Sequence, residues 1–151
     1  MERRNFYDSE TYDALVARIG GLTAGTAPEW GSMNSAQMLS HCAEVAEVAA
    51  GKELIGTPWF VRLIAGMIKR MVLSDKPYPH NSKTHPQYVM TAPADFDTQK
   101  ARLLEVLAGL KASGQEAAYE EKHPLFGRVT PEEAGWAAYK HLDHHLRQFG
   151  A

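Results

Sequence analysis

The sequence has a single cysteine, Cys42, which excludes an intrachain disulfide framework and any Cys-x-x-Cys metal or redox motif. Charge of one dominant sign is also missing. Sixteen Lys and Arg against eighteen Asp and Glu leave a formal net charge of −2, so no polyanion-seeking surface is implied and nucleic acid is not an expected partner. Long hydrophobic runs are absent too. The most apolar window, Trp59 to Leu73, is interrupted by Arg62, Lys69 and Arg70 and is too short to cross a bilayer. No stable membrane insertion is expected, and an amphipathic helix lying on a surface is the residual alternative. The opening residues Met1-Glu-Arg-Arg-Asn have no apolar stretch behind their charges, unlike a signal peptide, so a cytoplasmic location is expected.

What is present is helical periodicity. Tyr12, Leu15, Val16 and Ile19 recur at three- and four-residue spacings, predicting a helix over 8–19 that Gly20 and Gly21 should end. Asn34 or Ser35 can cap a second helix running to about residue 50, with Met38, His41, Cys42, Val45, Val48 and Ala49 on one broad side. Phe60, Leu63, Ile64, Met67 and Met71 predict a subsidiary helix over 59–73, apolar enough to be largely covered. Prolines 77, 79, 86 and 93 make 74–93 a long loop, of the kind that often covers a cleft or mediates an interface. Phe96, Leu103, Leu104, Leu107 and Leu110 mark a helix over 95–113, whereas 115–122 is polar and is assigned to no element. The last helix, 131–149, starts with a capping box of Thr130 and Glu133 with Pro131 in its first position, and Gly150 stops it.

Strand patterns are scarce, and neither a repeat nor a linker interrupts the 151 residues. The expected architecture is therefore all-α, a single domain over 1–151. In it, four main helices form an antiparallel bundle, with 59–73 in a long crossover.

Stepping about 100° per residue along the last helix, Ala134, Ala138, Leu142, His145 and Phe149 fall on the side of His141, with Lys140, Asp143 and Arg147 roughly opposite. Two imidazoles at i and i+4 can ligate one metal, but a third group must come from a facing element. His41, central in the apolar arc of its own helix, is the candidate. From periodicity alone, His41 can equally be a hydrogen-bonded core histidine, with His141 and His145 bridging neighbouring helices.

Three segments carry a resemblance: Trp30-Gly-Ser-Met-Asn-Ser-Ala-Gln-Met-Leu-Ser-His41, His123-Pro-Leu-Phe-Gly127, and Tyr139-Lys-His-Leu-Asp-His-His-Leu-Arg-Gln-Phe-Gly150. Over nearly its whole length the chain resembles the DinB-like (YfiT-like) superfamily of metal-binding four-helix bundles. The Trp-Gly-x-Met and His-Pro-x-Phe-Gly segments resemble its uncharacterised branch. The resemblance implies a divalent metal, zinc or nickel, held by His41, His141 and His145. It also implies thiol-dependent transferase or isomerase activity in some members.

The other polar candidates are weaker. His144 points away from the pair and is expected to bridge to a neighbour, while His123 either orients its turn or approaches the cleft. His80 and His85 lie in the proline-rich loop without ligand spacing. Cys42 reads as a small packed thiol, and Glu44 and Glu47 as exposed residues or acceptors for a histidine proton. Arg147 and Gln148 are candidates for a substrate carboxylate or an interface. Trp136, away from the buried arc, is a candidate contact in a homodimer.

The function expected is that of a metal-dependent enzyme activating water or a low-molecular-weight thiol, a hydrolase or a thiol-dependent transferase, on an unidentified small-molecule substrate. The alternative is a non-catalytic metal-binding or homodimerising helical module. No sequence signal identifies a general base.

Overall fold

The computed structural model describes residues 1–120 and 122–151, and among these residues the ordered elements are helical with no strand. Seven α-helices follow in order: α1 (Ser9–Gly21), α2 (Ser35–Ala49), α3 (Trp59–Leu63), α4 (Ala65–Leu73), α5 (Phe96–Ser113), α6 (Gln115–Glu120) and α7 (Pro131–Gln148). A single 3-10 turn, Pro86–Tyr88, sits in the proline-rich loop. The polar segment 115–122, to which the sequence assigned no element, is helical as far as Glu120, and its residue 121 lies outside the described residues.

The helix boundaries follow the capping chemistry read from the sequence. Asn34 caps α2 in a reciprocal box with Gln37, and Thr130 caps α7 in the same way with Glu133, each satisfying amides that the first turn leaves without partners. The two glycines expected to stop α1 instead continue it to Gly21. The hydrophobic cluster gathers Leu15 and Ile19 of α1, Met38, Leu39 and Cys42 of α2, Leu103, Leu107 and Leu110 of α5, and Trp136, Leu142 and Leu146 of α7.

The closest helix pairing is α2 against α5, and α7 packs on α1, α2, α4 and α6. A charge cluster binds the first pair together: Arg102 donates to Glu47 at 2.6 Å and to Glu44 at 2.8 Å, and Lys52 donates to both carboxylates at 2.7 Å. Glu44 is thus buried in an ion-pair network, contrary to the exposed position expected for it. Hydrogen bonding to Arg102 lowers the Glu47 pKa from about 4.5 to about 2. Burial opposes ionisation of Glu44, but its bonds from Lys52, Gln87 and Arg102 outweigh burial and lower its pKa.

The polar side expected on α7 is a second buried side. Lys140 and Asp143 are buried, with Lys140 donating to the carbonyls of Met71, Val72 and Ser74 at 2.8–3.0 Å. The ammonium thereby caps the end of α4, whose last carbonyls have no helical partner. Asp143 lies between Arg18 of α1 and Arg147, each 2.8 Å away. Trp136, expected at a partner surface, is 2% exposed. Its indole donates to the Leu73 carbonyl, and the amino-terminal segment covers it: the Phe6 amide reaches the Gly135 carbonyl, and Asn5 packs where a side chain at Gly135 would stand. A helical wheel records the faces of α7 but not the segments that come to lie on them.

The 59–73 region departs furthest from expectation. It divides at Ile64 into α3 and α4, and it is not covered: Trp59 is 74% exposed and Leu63 75%. Only one side of this crossover meets the rest of the chain, and its apolar residues occupy both sides. Among the described residues no helix is long and apolar enough to cross a membrane.

Replacing Lys140 by Met keeps the side-chain volume but leaves the Val72 and Ser74 carbonyls without their donor, Met71 still accepting from Ser74, so the expected loss is roughly 2–4 kcal/mol in urea denaturation, with faster amide exchange across 65–73. The Glu47 carboxylate stabilises the fold fully above about pH 4.5, and that contribution disappears as the pH falls toward 2. Glu47→Gln should therefore flatten the acid limb of a urea-midpoint profile, and an unchanged limb would show that the α2–α5 charge cluster adds nothing to stability.

Candidate metal centre

His41, from the middle of α2, and His141 and His145, one turn apart on α7, converge where the two helices meet. Their candidate ligand nitrogens all lie within 4.8 Å of one another. Among the described residues no other His, Cys, Asp or Glu joins this group. The Nε2 atoms of His41 and His141 are 3.1 Å apart, close to the roughly 3.3 Å that two nitrogens about 2.05 Å from one tetrahedral ion would show. The ring of His145 is 4.7 Å from that of His41 and 4.8 Å from that of His141, centroid to centroid.

Hydrogen bonds at the outer nitrogens decide which inner nitrogens carry lone pairs. His41 Nδ1 lies 2.8 Å from the Tyr88 carbonyl, and His145 Nδ1 lies 2.8 Å from Gln148 Oε1. Both partners are oxygen acceptors, so both Nδ1 atoms donate, and each Nε2 is left as a lone-pair nitrogen facing the cluster. The imidazoles are held neutral as well. Burial lowers the pKa of His41 against the opposing hydrogen bond to Tyr88. Burial, then the neighbouring His145 and His41, puts that of His141 well below the usual value. Burial, with His41 beside it, lowers His145 to about 3. Neutral rings, with the Nε2 lone pairs of His41 and His145 turned inward, match what a divalent cation requires of histidine. The residues present therefore fit such an ion.

The outer layer explains why the site needs the loops. The 3-10 turn Pro86–Tyr88 presents the Tyr88 carbonyl to His41, so the proline-rich loop reaches the cluster as its length suggested. Gln148 is fixed from its other end, its Nε2 donating to the Trp30 carbonyl at 2.7 Å. Gly31 adopts φ +85, and a Cβ there would stand 2.5 Å from Gln148 Nε2, so glycine is needed both for the backbone conformation and for the close approach. The Trp-Gly pair thus supports His145 through one side-chain amide. Sequence reasoning offered Gln148 only as a substrate or interface residue. The signal available was its position three residues after His145, on the same helical face. The carbonyls of Tyr88 and Trp30 left no trace in side-chain pattern.

The remaining histidines lie outside the triad. His144 is half-buried among Tyr78, Trp30 and His80, bridging α7 to the loop, while His80 stacks flat on Trp30 at 3.8 Å. His123 Nδ1 accepts from the amides of Leu125 and Phe126, a turn-forming role. His85 accepts from the Gln87 amide and contacts Thr57. Cys42 is buried against Met38, and burial pushes its thiol pKa up, in keeping with a packed rather than a ligating thiol. Arg147 contacts Asp143. Two surface clefts, of about 390 and 340 Å³, are lined by none of the three histidines.

Fold and site together define an all-helical protein with a buried three-histidine cluster that could hold a metal ion. The chain belongs to the family described as "Protein of unknown function (DUF1569)", whose model matches residues 1–151. No curated protein and no solved structure matches it.

Gln148→Leu should free His145 to exchange tautomers, seen as loss of a single Nδ1-protonated pattern in imidazole nitrogen NMR spectra, with the fold retained. Gly31→Ala should produce the same spectral change together with a loss of roughly 1–3 kcal/mol from its positive φ. An unaltered His145 pattern in both variants would remove the orienting role of Gln148.

Proposed function

We propose that the chain is a metal-dependent enzyme of the DinB-like (YfiT-like) superfamily, with His41, His141 and His145 holding a divalent ion, zinc or nickel. The observation that carries this reading is the pair of outward Nδ1 hydrogen bonds, to Tyr88 and Gln148, that leave Nε2 lone pairs turned toward a common point. Three nitrogen ligands suit a catalytic ion better than a structural zinc, which takes four protein ligands. A bound ion would supply Lewis acidity toward water or a low-molecular-weight thiol, giving a hydrolase or a thiol-dependent transferase acting on a small molecule. The chain's own contribution is orientation and dryness: Tyr88 and Gln148 fix two rings, and burial keeps all three neutral.

The same proposal takes the chain as one domain, an antiparallel bundle of α1, α2, α5 and α7, working in the cytoplasm. The shared hydrophobic cluster of these four helices and the α2–α5 charge clamp support the bundle.

A second reading, a non-catalytic helical module, draws on one observation. His41 Nε2 and His141 Nε2, 3.1 Å apart, can share a hydrogen without any ion. In that reading the histidines pack and the protein serves by homodimerising, through a surface other than the buried Trp136.

Metal analysis of protein purified without an affinity tag separates the two. Near-stoichiometric metal in the wild type, lost in both His41→Ala and His145→Ala, is the expected result, and Gln148→Leu should weaken metal affinity about 10- to 100-fold. Occupancy retained in both alanine variants would sink the triad. Metal-loaded protein tested with thiols plus electrophiles, and separately with esters and amides, then distinguishes the two reaction classes.

A further inference from the structure

The outward side of the crossover carries an apolar stripe that the chain itself leaves uncovered. Stepping about 100° per residue, Trp59, Phe60, Leu63, Ile64, Met67 and Met71 share one sector, and all six are exposed. Val61, Ala65, Ile68 and Val72, on the opposite side, are half-buried. The stripe cannot simply roll inward. Lys140 holds the Met71 and Val72 carbonyls, and Trp136 and Arg3 hold that of Leu73, which fixes the rotation of α4.

The charge along this stretch has one sign. From Leu54 to Ser74 there is no Asp or Glu, while Arg62, Lys69 and Arg70 are all present. Arg62 and Arg70 are exposed at the edge of the stripe, and Lys69 donates to the Arg128 carbonyl. Large apolar side chains accompanied by cations, with no carboxylate between Glu53 and Asp75, suit an interface whose polar layer is anionic. They do not suit a two-fold pairing of this stripe with itself, which would gather the arginines of both copies with no carboxylate between them.

We propose that α3 and α4 form a peripheral docking surface for bilayers containing anionic lipids. The helices lie in the plane of the interface, with Trp59, Phe60, Leu63 and Met67 reaching the boundary between headgroups and acyl chains, and Arg62 and Arg70 extending to the lipid phosphates. The surface is independent of the three-histidine cluster and would stand if the metal reading failed.

The full chain is sedimented with vesicles of phosphatidylcholine alone and with vesicles also containing phosphatidylglycerol. Binding to the anionic vesicles only, weakened by salt, is expected, with a blue shift of tryptophan emission. Trp59→Phe should keep binding but lose the shift, since Trp136 is buried and Trp30 half-buried. Arg62→Gln with Arg70→Gln should weaken binding roughly tenfold or more. Leu63→Ser with Met67→Ser should abolish it while leaving the urea midpoint unchanged. Should that double variant prove unfolded, the wild-type shift and its loss in Trp59→Phe decide the matter. Absence of wild-type binding to anionic vesicles overturns the proposal. So does sedimentation equilibrium showing a dimer that the folded Leu63→Ser, Met67→Ser protein loses, because a second copy would then be the occupant.

Discussion

The arrangement depends on how α7 satisfies its buried polar side chains. A helix surrounded by other elements would ordinarily be apolar all round, yet α7 buries Lys140, Asp143, His145 and Gln148. Each would be costly if left without a partner. For three of them the partner comes from a different part of the chain: the end of α4 for Lys140, α1 for Asp143, and the Trp30 carbonyl for Gln148, which in turn holds His145. Seating α7 thereby fixes the positions of the amino-terminal helix, the crossover and the loop before α2.

The same requirement builds the histidine cluster. His41 and His145 are held by an acceptor at the outer ring nitrogen, one a backbone carbonyl and one a side-chain amide. Burial suppresses the charged form of all three rings. Buried imidazoles that merely filled space would need no convergence of lone pairs. Here the hydrogen bonds at the outer nitrogens of His41 and His145 leave their Nε2 lone pairs toward the cluster, an arrangement that could hold a cation.

Much of this was legible in the chain because the signals were local. The Thr130, Pro131 and Glu133 cap announced α7, and four-residue spacing placed His141 and His145 together. His41 stood out by lying inside an apolar arc. The errors had a common source. Trp136 and Lys140 were set away from the buried arc by the periodicity of α7, and Glu44 was read as exposed or as an acceptor for a histidine proton, whereas residues distant in sequence cover them: Leu73 and Phe6 beside Trp136, the α4 carbonyls on Lys140, and Arg102 on Glu44. The crossover erred the other way, since apolar residues at helical spacing do not reveal whether anything lies against them.

Local chemistry in the sequence determined the helical class, the positions of α2, α5 and α7 to within a residue or two, and the identity of three histidines able to meet. Backbone hydrogen bonding and side-chain spacing act over a few residues, so these features need no knowledge of the rest of the chain. Tertiary structure alone decided that the Tyr88 and Trp30 carbonyls and Gly31 complete the histidine cluster, that α7 is buried on its polar side, and that the 59–71 stripe faces outward. Those outcomes depend on which distant segment lies against each surface, and a carbonyl oxygen, common to every residue, leaves no mark in the sequence of where it will be used.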